Sequence, residues 1–297
     1  MSTSTERAVT FDCQGDALVG ILHAPAAPAE LGLVVIVGGP QYRAGSHRQF
    51  VLLARAVADA GFAVLRFDVR GMGDSAGAPR GFEDTATDIA AAIDTIQAQV
   101  PTVQRVVLWG LCDAAAAALL YVDATHDRRI AGVCALNPWV RSNASLARTQ
   151  LKHYYRQRLG TAEFWLKLMR GQVGIGALRE LSRKILSAAS GGPPPSAAAA
   201  VPFPERMARG CETLADGSVL VLLSDNDYTA KEFVEVVDAS PRWQHVFEMT
   251  HVQRRAIEGA DHTFSQAAAR TAVDRATVHW LHDMRGRRPC AGDASHV

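Results

Sequence analysis

The chain has 297 residues, 48% hydrophobic and 21% charged, with a formal net charge of +1. This is the make-up of a globular enzyme with room for one large core, and without a basic block it offers nucleic acid or an anionic membrane surface nothing to hold. Met1 to Arg7 lack the apolar centre of a signal peptide, and no uncharged apolar run nears the roughly 20 residues that span a bilayer. Five cysteines (Cys13, Cys112, Cys134, Cys211, Cys290) are odd in number and widely spaced, with no Cys-x-x-Cys pair. That spacing predicts a reduced, cytoplasmic protein with no zinc or redox motif and no metal or cofactor.

In chain order, Ala8 to Phe11 and Leu18 to Leu22 read as strands around the turn Gln14-Gly15-Asp16, a hairpin at an antiparallel sheet edge. Leu31 to Val37 is a continuous apolar run, as a parallel strand covered on both faces requires, and it ends in Gly38-Gly39-Pro40-Gln41. Phe50, Leu53, Ala54 and Val57 fall at helical spacing and predict a helix over His47 to Ala60, stopped by Gly61. Phe62 to Phe67 predicts a strand leading into Asp68-Val69-Arg70-Gly71-Met72-Gly73-Asp74-Ser75-Ala76-Gly77. A helix over Glu83 to Val100 puts Ile89, Ala92, Ile93 and Ile96 on one face. A strand over Arg105 to Trp109, a helix over Asp113 to Val122 and a strand over Ile130 to Leu136 follow, the last ending at Asn137-Pro138.

The character then changes. Arg141 to about Ser190 reads as amphipathic helix with mixed aromatic and basic residues, including Tyr154, Tyr155 and Trp165, and the Gly/Pro/Ala tract Ser190 to Pro204 as a mobile loop. A helix over Glu205 to Leu214, a strand over Val219 to Ser224, a short helix over Phe233 to Val237, a strand over Val252 to Ile257 and a closing helix over Ser265 to Met284 complete the chain, with a polar tail from Arg285. The alternation predicts an α/β fold: a mostly parallel central sheet with helices on both faces. It divides into core residues 1–140, an inserted helical cap over 141–215 containing the loop 190–204, and core residues 216–297.

The stretch Val106 to Leu120 organises this plan. A strand becomes a helix across Gly110-Leu111-Cys112-Asp113-Ala114, and small residues flank a bend that must be sharp. Such a bend is a nucleophile elbow, here presenting a thiol at a helix N-terminus, where the partial positive charge favours a thiolate. The plain alternative is a cysteine that packs as a small hydrophobe. Ligands of open parallel sheets bind beyond the carboxyl ends of the strands, which is where Gly38 to Gln41, Asp68 to Ser75, Cys112, Asn137, Asp225 to Tyr228 and His262 all fall. Gly73-Asp74-Ser75-Ala76-Gly77 also matches Gly-x-Ser-x-Gly, but Pro79 and Gly81 deny it a helix. Ser75 is therefore expected to serve loop structure, with Asp68 and Arg70 pairing locally. His47 is expected as a cap or surface residue, and His23, His126, His153, His245, His251, His279 and His282 as helical or exposed bystanders.

These residues carry a resemblance. The chain resembles an α/β-hydrolase: Gly110 to Ala114 matches Gly-x-nucleophile-x-Gly/Ala, Asp68 to Ser75 resembles the superfamily's Asp-x-Arg-Gly-x-Gly-x-Ser loop, and Gly259-Ala260-Asp261-His262-Thr263-Phe264 resembles the loop that carries its histidine. More closely, it resembles the hydrolase type 1 associated with the bacterial exosortase A system, through Gly38-Gly39-Pro40-Gln41-Tyr42-Arg43, Trp109 to Ala114, and Asn137-Pro138-Trp139-Val140. The resemblance implies a Cys-His-Asp triad: Cys112 attacks a carbonyl carbon, His262 moves the proton, and an acid after the Val219–Ser224 strand orients the ring. Asp225 and Asp227 both qualify; Asp227 is preferred because the family's acid lies a few residues past the strand end. The oxyanion hole is expected from the backbone N–H of Asp113 and from the Gly38–Gln41 loop, around Gly39 and Pro40. Alignment puts Pro40, which has no N–H, at the donor position, and leaves Gln41 as the donor by backbone or side chain. The implied activity is cleavage of an ester or thioester in a small-molecule acyl substrate through an acyl-cysteine, linked to exopolysaccharide systems. Acyl transfer by the same triad, or a non-catalytic hydrolase-like binding protein, are the alternatives.

Overall fold

The alternation of apolar and polar residues at the start of the chain folds as expected in the computed structural model, which describes residues 4–39, 41–141, 201–214 and 217–286. Strands β1 (Thr5–Cys13) and β2 (Asp16–Ala24) pair antiparallel around Gln14-Gly15. The apolar runs become β3 (Leu31–Ile36), β4 (Val64–Phe67), β5 (Arg105–Leu111), β6 (Ile130–Leu136), β7 (Ser218–Ser224) and β8 (Val252–Ile257). All eight join one sheet in the order β1-β2-β4-β3-β5-β6-β7-β8. The ladders from β4 to β8 are parallel; the β2–β4 ladder is antiparallel, so the hairpin closes one edge.

Both faces of the sheet are covered, and this explains why its central strands are apolar throughout rather than alternating. On one face Val34, Ile36, Leu65, Val106, Leu108, Val133, Val219 and Val221 pack against α2 (Ala86–Gln99), α3 (Asp113–Thr125), α4 (Phe203–Thr213), α5 (Tyr228–Ala239) and α6 (Pro241–Glu248). On the other, Leu33, Val35, Val64, Val107, Trp109, Cys134, Leu220 and Leu222 pack against α1 (Gln49–Asp59) and α7 (Ala267–Gly286). The sheet is thus one partition between two apolar cores.

Several expectations need correction. The helix expected from His47 starts at Gln49, because His47 and Arg48 hold left-handed conformations (φ 55° and 61°) in a preceding 3-10 turn. The helix expected from Glu83 starts at Ala86, after a 3-10 turn over Phe82–Asp84. The short helix placed over Phe233 to Val237 is the middle of α5, which starts at Tyr228 because the Asp227 side chain caps the Ala230 N–H. Helix α6 was not expected at all; Ser240 caps it and Pro241 opens it, a pairing that marks helix starts. Pro204 likewise lies in the first turn of α4, so the Gly/Pro/Ala tract gives way to helix at Phe203. Helix α4 packs against α3, with Met207, Ala208 and Cys211 in the same core as Leu119. Helix α4, expected within the cap over 141–215, thus packs into the sheet's core, and residues 142–200 of that expected cap, including Tyr154, Tyr155, Trp165 and most of the 190–204 loop, lie outside the described residues. The polar tail beyond Gly286 does too. His23 is not a helical or exposed bystander: it is fully buried in β2, bonded to Arg66 Nε at 3.0 Å. Among the described residues no helix is long and apolar enough to cross a membrane.

Candidate active site

The site begins with a backbone constraint. β5 runs to Leu111, α3 starts at Asp113, and Cys112 must make the whole turn alone, at φ 63° and ψ −121°. A non-glycine residue there is strained, and such strain persists only where surrounding structure holds it. Here β6, the segment after it and α3 do the holding: the Cys112 N–H donates to Leu136 O (2.9 Å), and Cys112 O accepts from Trp139 N (3.1 Å) and Ala115 N (3.1 Å). Glycine is required at position 110, because a Cβ there would lie 2.5 Å from the backbone C and O of Ala114. The five alanines Ala114 to Ala118 are all buried and let α3 settle close to the sheet.

The elbow leaves the Cys112 side chain half-buried. The other described thiols, Cys13, Cys134 and Cys211, are buried, and burial pushes each of them above the ordinary thiol range. Beside Cys112 lies His262, from the loop after β8. Its Nδ1 is 2.9 Å from Asp227 Oδ2, and its side chain is 33% exposed, enough for a substrate to reach it. The hydrogen bond to Asp227, then that to Cys112, hold the ring up to about 10 against the opposing effect of burial. Burial pushes the Asp227 carboxyl up, but the bond and charge of His262 and the N–H groups of Ala230 and Thr229 outweigh it, so it stays below the usual carboxylate range.

The two acid candidates separate by geometry. Asp227 meets His262; Asp225 instead accepts the Gly259 N–H at 3.0 Å and ties the loop after β7 to the loop after β8. Asn137, a fully buried residue at the end of β6, is placed by the sequence at the ligand-binding edge but given no role there. Its Nδ2 donates to Ser224 Oγ (2.8 Å) and to His262 O (3.1 Å), and its Oδ1 accepts from Ser224 N (2.8 Å). Ser224 Oγ in turn donates to Asp261 O at 2.8 Å. The histidine loop is thus stapled to two neighbouring strand ends.

The expected oxyanion loop is only partly as foreseen. Pro40 lies outside the described residues. The Gly39 N–H donates to Asp113 Oδ2 at 2.8 Å, so Gly39 aims a donor at the elbow. Gln41 is half-buried, and its Oε1 is buried without a hydrogen-bond partner. Asp68 and Arg70 do not pair with each other. Asp68 is fully buried and paired to Arg43, whose N–H donates to Asp68 Oδ1 at 2.6 Å. Arg70 instead bonds Asp88 and Asp16. Ser75 is a structural residue as expected: its Oγ donates to Asp68 O (2.6 Å) and accepts from Val19 N (2.9 Å). His47 Nε2 lies 3.2 Å from Thr263 Oγ1, on the exposed rim of the histidine loop. Among the described residues no cluster of His, Cys, Asp and Glu could hold a metal ion.

Residues 29–190, more than half of the chain, match the family described as Serine aminopeptidase, S33. The chain belongs to this family of α/β-hydrolases. The hydrolase shares its fold with an esterase of Pyrococcus furiosus, at 14% identity and a TM-score of 0.62, over 96% of this chain and 94% of that one. It is likewise similar to Est1E from Butyrivibrio proteoclasticus with ferulic acid bound, at 16% identity and a TM-score of 0.62, over 94% of this chain and 100% of that one. A hypothetical protein of Pseudomonas aeruginosa matches at 18% identity and a TM-score of 0.60, over 95% of this chain and 94% of that one. At these identities the likeness is one of fold. No curated protein matches the chain in sequence. The family is named for a serine, whereas this hydrolase carries Cys112 at its elbow.

Proposed function

We propose that the hydrolase cleaves an ester or thioester through an acyl-cysteine on Cys112, with His262 as the proton carrier and Asp227 as the group that orients it. One observation carries this reading: an imidazole bonded at Nδ1 to a buried carboxylate, with a half-buried thiol of a strained elbow as its other partner. Asp227 fixes the tautomer and leaves Nε2 to face the sulfur. Cys112 Sγ, its proton already held on His262, forms the new bond to the carbonyl carbon as the carbonyl π pair moves onto oxygen. Collapse of the tetrahedral intermediate breaks the bond to the leaving alcohol or thiol, which takes the proton from His262. Water then gives a proton to the ring, attacks the thioester, and releases the acid and the free thiol. The likeness to the exosortase A-associated hydrolases supports a substrate in exopolysaccharide metabolism.

The test is hydrolysis of p-nitrophenyl acetate, with the enzyme's mass read after rapid quenching. Wild type is expected to gain one acetyl group, mapped to the peptide containing Cys112, and Cys112→Ala none. Nitrophenol release that is undiminished in Cys112→Ala would overturn the reading. Added amine or sugar acceptors separate transfer from hydrolysis by the product formed.

A further inference from the structure

The residue after the nucleophile is an aspartate, and its carboxylate points back at the elbow rather than out to solvent. Asp113 Oδ2 accepts the Gly39 N–H at 2.8 Å, and Oδ1 accepts the Ala114 N–H at 3.0 Å. The loop before it leaves room for this group: a Cβ on Gly38 would lie 2.0 Å from Asp113 Oδ1. Position 38 therefore has to be glycine for the carboxylate to lie where it does. The Gly39 and Ala114 N–H groups belong to the two segments, the loop after β3 and the start of α3, from which an α/β-hydrolase draws its oxyanion donors. They already converge on one anion, and that anion belongs to the protein. Burial pushes this carboxyl above its ordinary range, against the N–H groups of Gly39 and Ala114 and the charge of His262, so the group is held there at a cost.

We propose that the Asp113 carboxylate is a resident occupant of the oxyanion hole, which the substrate's acyl oxygen must displace before Cys112 is acylated. This rests on the catalytic reading above and adds a rate- and specificity-determining residue to it. A carboxylate in that place competes with the developing oxyanion for the same donors, and its charge repels it. Activated acyl groups overcome the competition most readily, so Asp113 biases the site against simple alkyl esters.

Two reactions of Cys112 separate this role from a structural one. Acylation by p-nitrophenyl acetate passes through an oxyanion, whereas alkylation by iodoacetamide does not. Asp113→Ala is expected to raise the acylation rate by about tenfold or more, since each oxyanion donor is worth a large factor in rate. Asp113→Asn keeps the shape but not the charge, and a smaller rise is expected. Alkylation should change by no more than about threefold in either variant, because no oxyanion forms. An acylation rate that is unchanged or lower in both variants, relative to alkylation, overturns the inference. Should Asp113→Ala not fold, the isosteric Asp113→Asn decides alone. If Cys112→Ala hydrolyses the ester as fast as wild type, the catalytic reading fails and this inference with it. If Cys112 is required but the Asp113 variants are not faster, the inference alone fails.

Discussion

Two stretches of this chain spell nearly the same motif, and only one of them builds a sharp strand-to-helix corner. Gly73-Asp74-Ser75-Ala76-Gly77 is the more literal match to Gly-x-Ser-x-Gly. Yet Ser75 is buried, its oxygen accepting from Val19 N and its one proton donated to Asp68 O rather than to any base. Gly110-Leu111-Cys112-Asp113-Ala114 is the looser match, but it joins β5 directly to α3. The turn forces Cys112 to φ 63° and leaves its thiol half-buried beside His262. What separates the two is the strand before and the helix after, not the five letters.

The sharpest way to break this contrast is to remove each side chain. Cys112→Ala is expected to lower kcat/KM for an activated ester by about 1,000-fold or more, as loss of a nucleophile does. Ser75→Ala should leave kcat/KM within about twofold yet cost about 2 kcal/mol of stability in urea unfolding, because it strands a buried N–H and a carbonyl. The next effect divides the two acids. Asp227→Asn should lower kcat by about 100-fold or more, by analogy with other triads, whereas Asp225→Asn, whose side chain still accepts from Gly259, should cost no more than about threefold. Gly110→Ala tests the elbow's geometry: a methyl group pressed on the Ala114 backbone is expected to destabilise the fold by about 3 kcal/mol, read by the same unfolding curves.

The last effect is on the pH dependence of melting. His262 is raised in the folded state, to about 10, chiefly by Asp227. A raised histidine contributes its stabilisation fully below the unfolded pKa of about 6.5 and loses it as pH climbs through the folded value. Wild-type Tm should therefore decline between about pH 6.5 and 10, and Asp227→Asn should flatten that decline. An equal decline in both proteins would contradict the assignment of Asp227 as the partner.

The architecture was legible because buried parallel strands are apolar on both faces, so β3 and β5 to β7 announce themselves as runs. The elbow was legible for a related reason: it is local, with strand, turn and helix contiguous in sequence. What escaped the sequence is what depends on distance along the chain. Arg43 pairs with Asp68, 25 residues on, where a local Asp68–Arg70 pair had been expected. Asn137 reaches the His262 backbone, 125 residues on, and no spacing rule foretells that. The choice between Asp225 and Asp227 turned on which of two neighbouring carboxylates faces the ring, a matter of rotamer and backbone direction. Helix α6 was missed despite a readable signal, the Ser240-Pro241 start, because its polar residues obscured the period.

The amide of Asn137 has a further consequence. Both of its ends are spent on the main chain, and it lies at 0% exposure where β6, β7 and the histidine loop meet. A loop fastened in this way cannot fray on its own, so the His262–Asp227 pair has no softer melting point than the sheet beneath it. Heat should therefore silence the enzyme and unfold it in a single event, and truncating Asn137 should pull the two events apart.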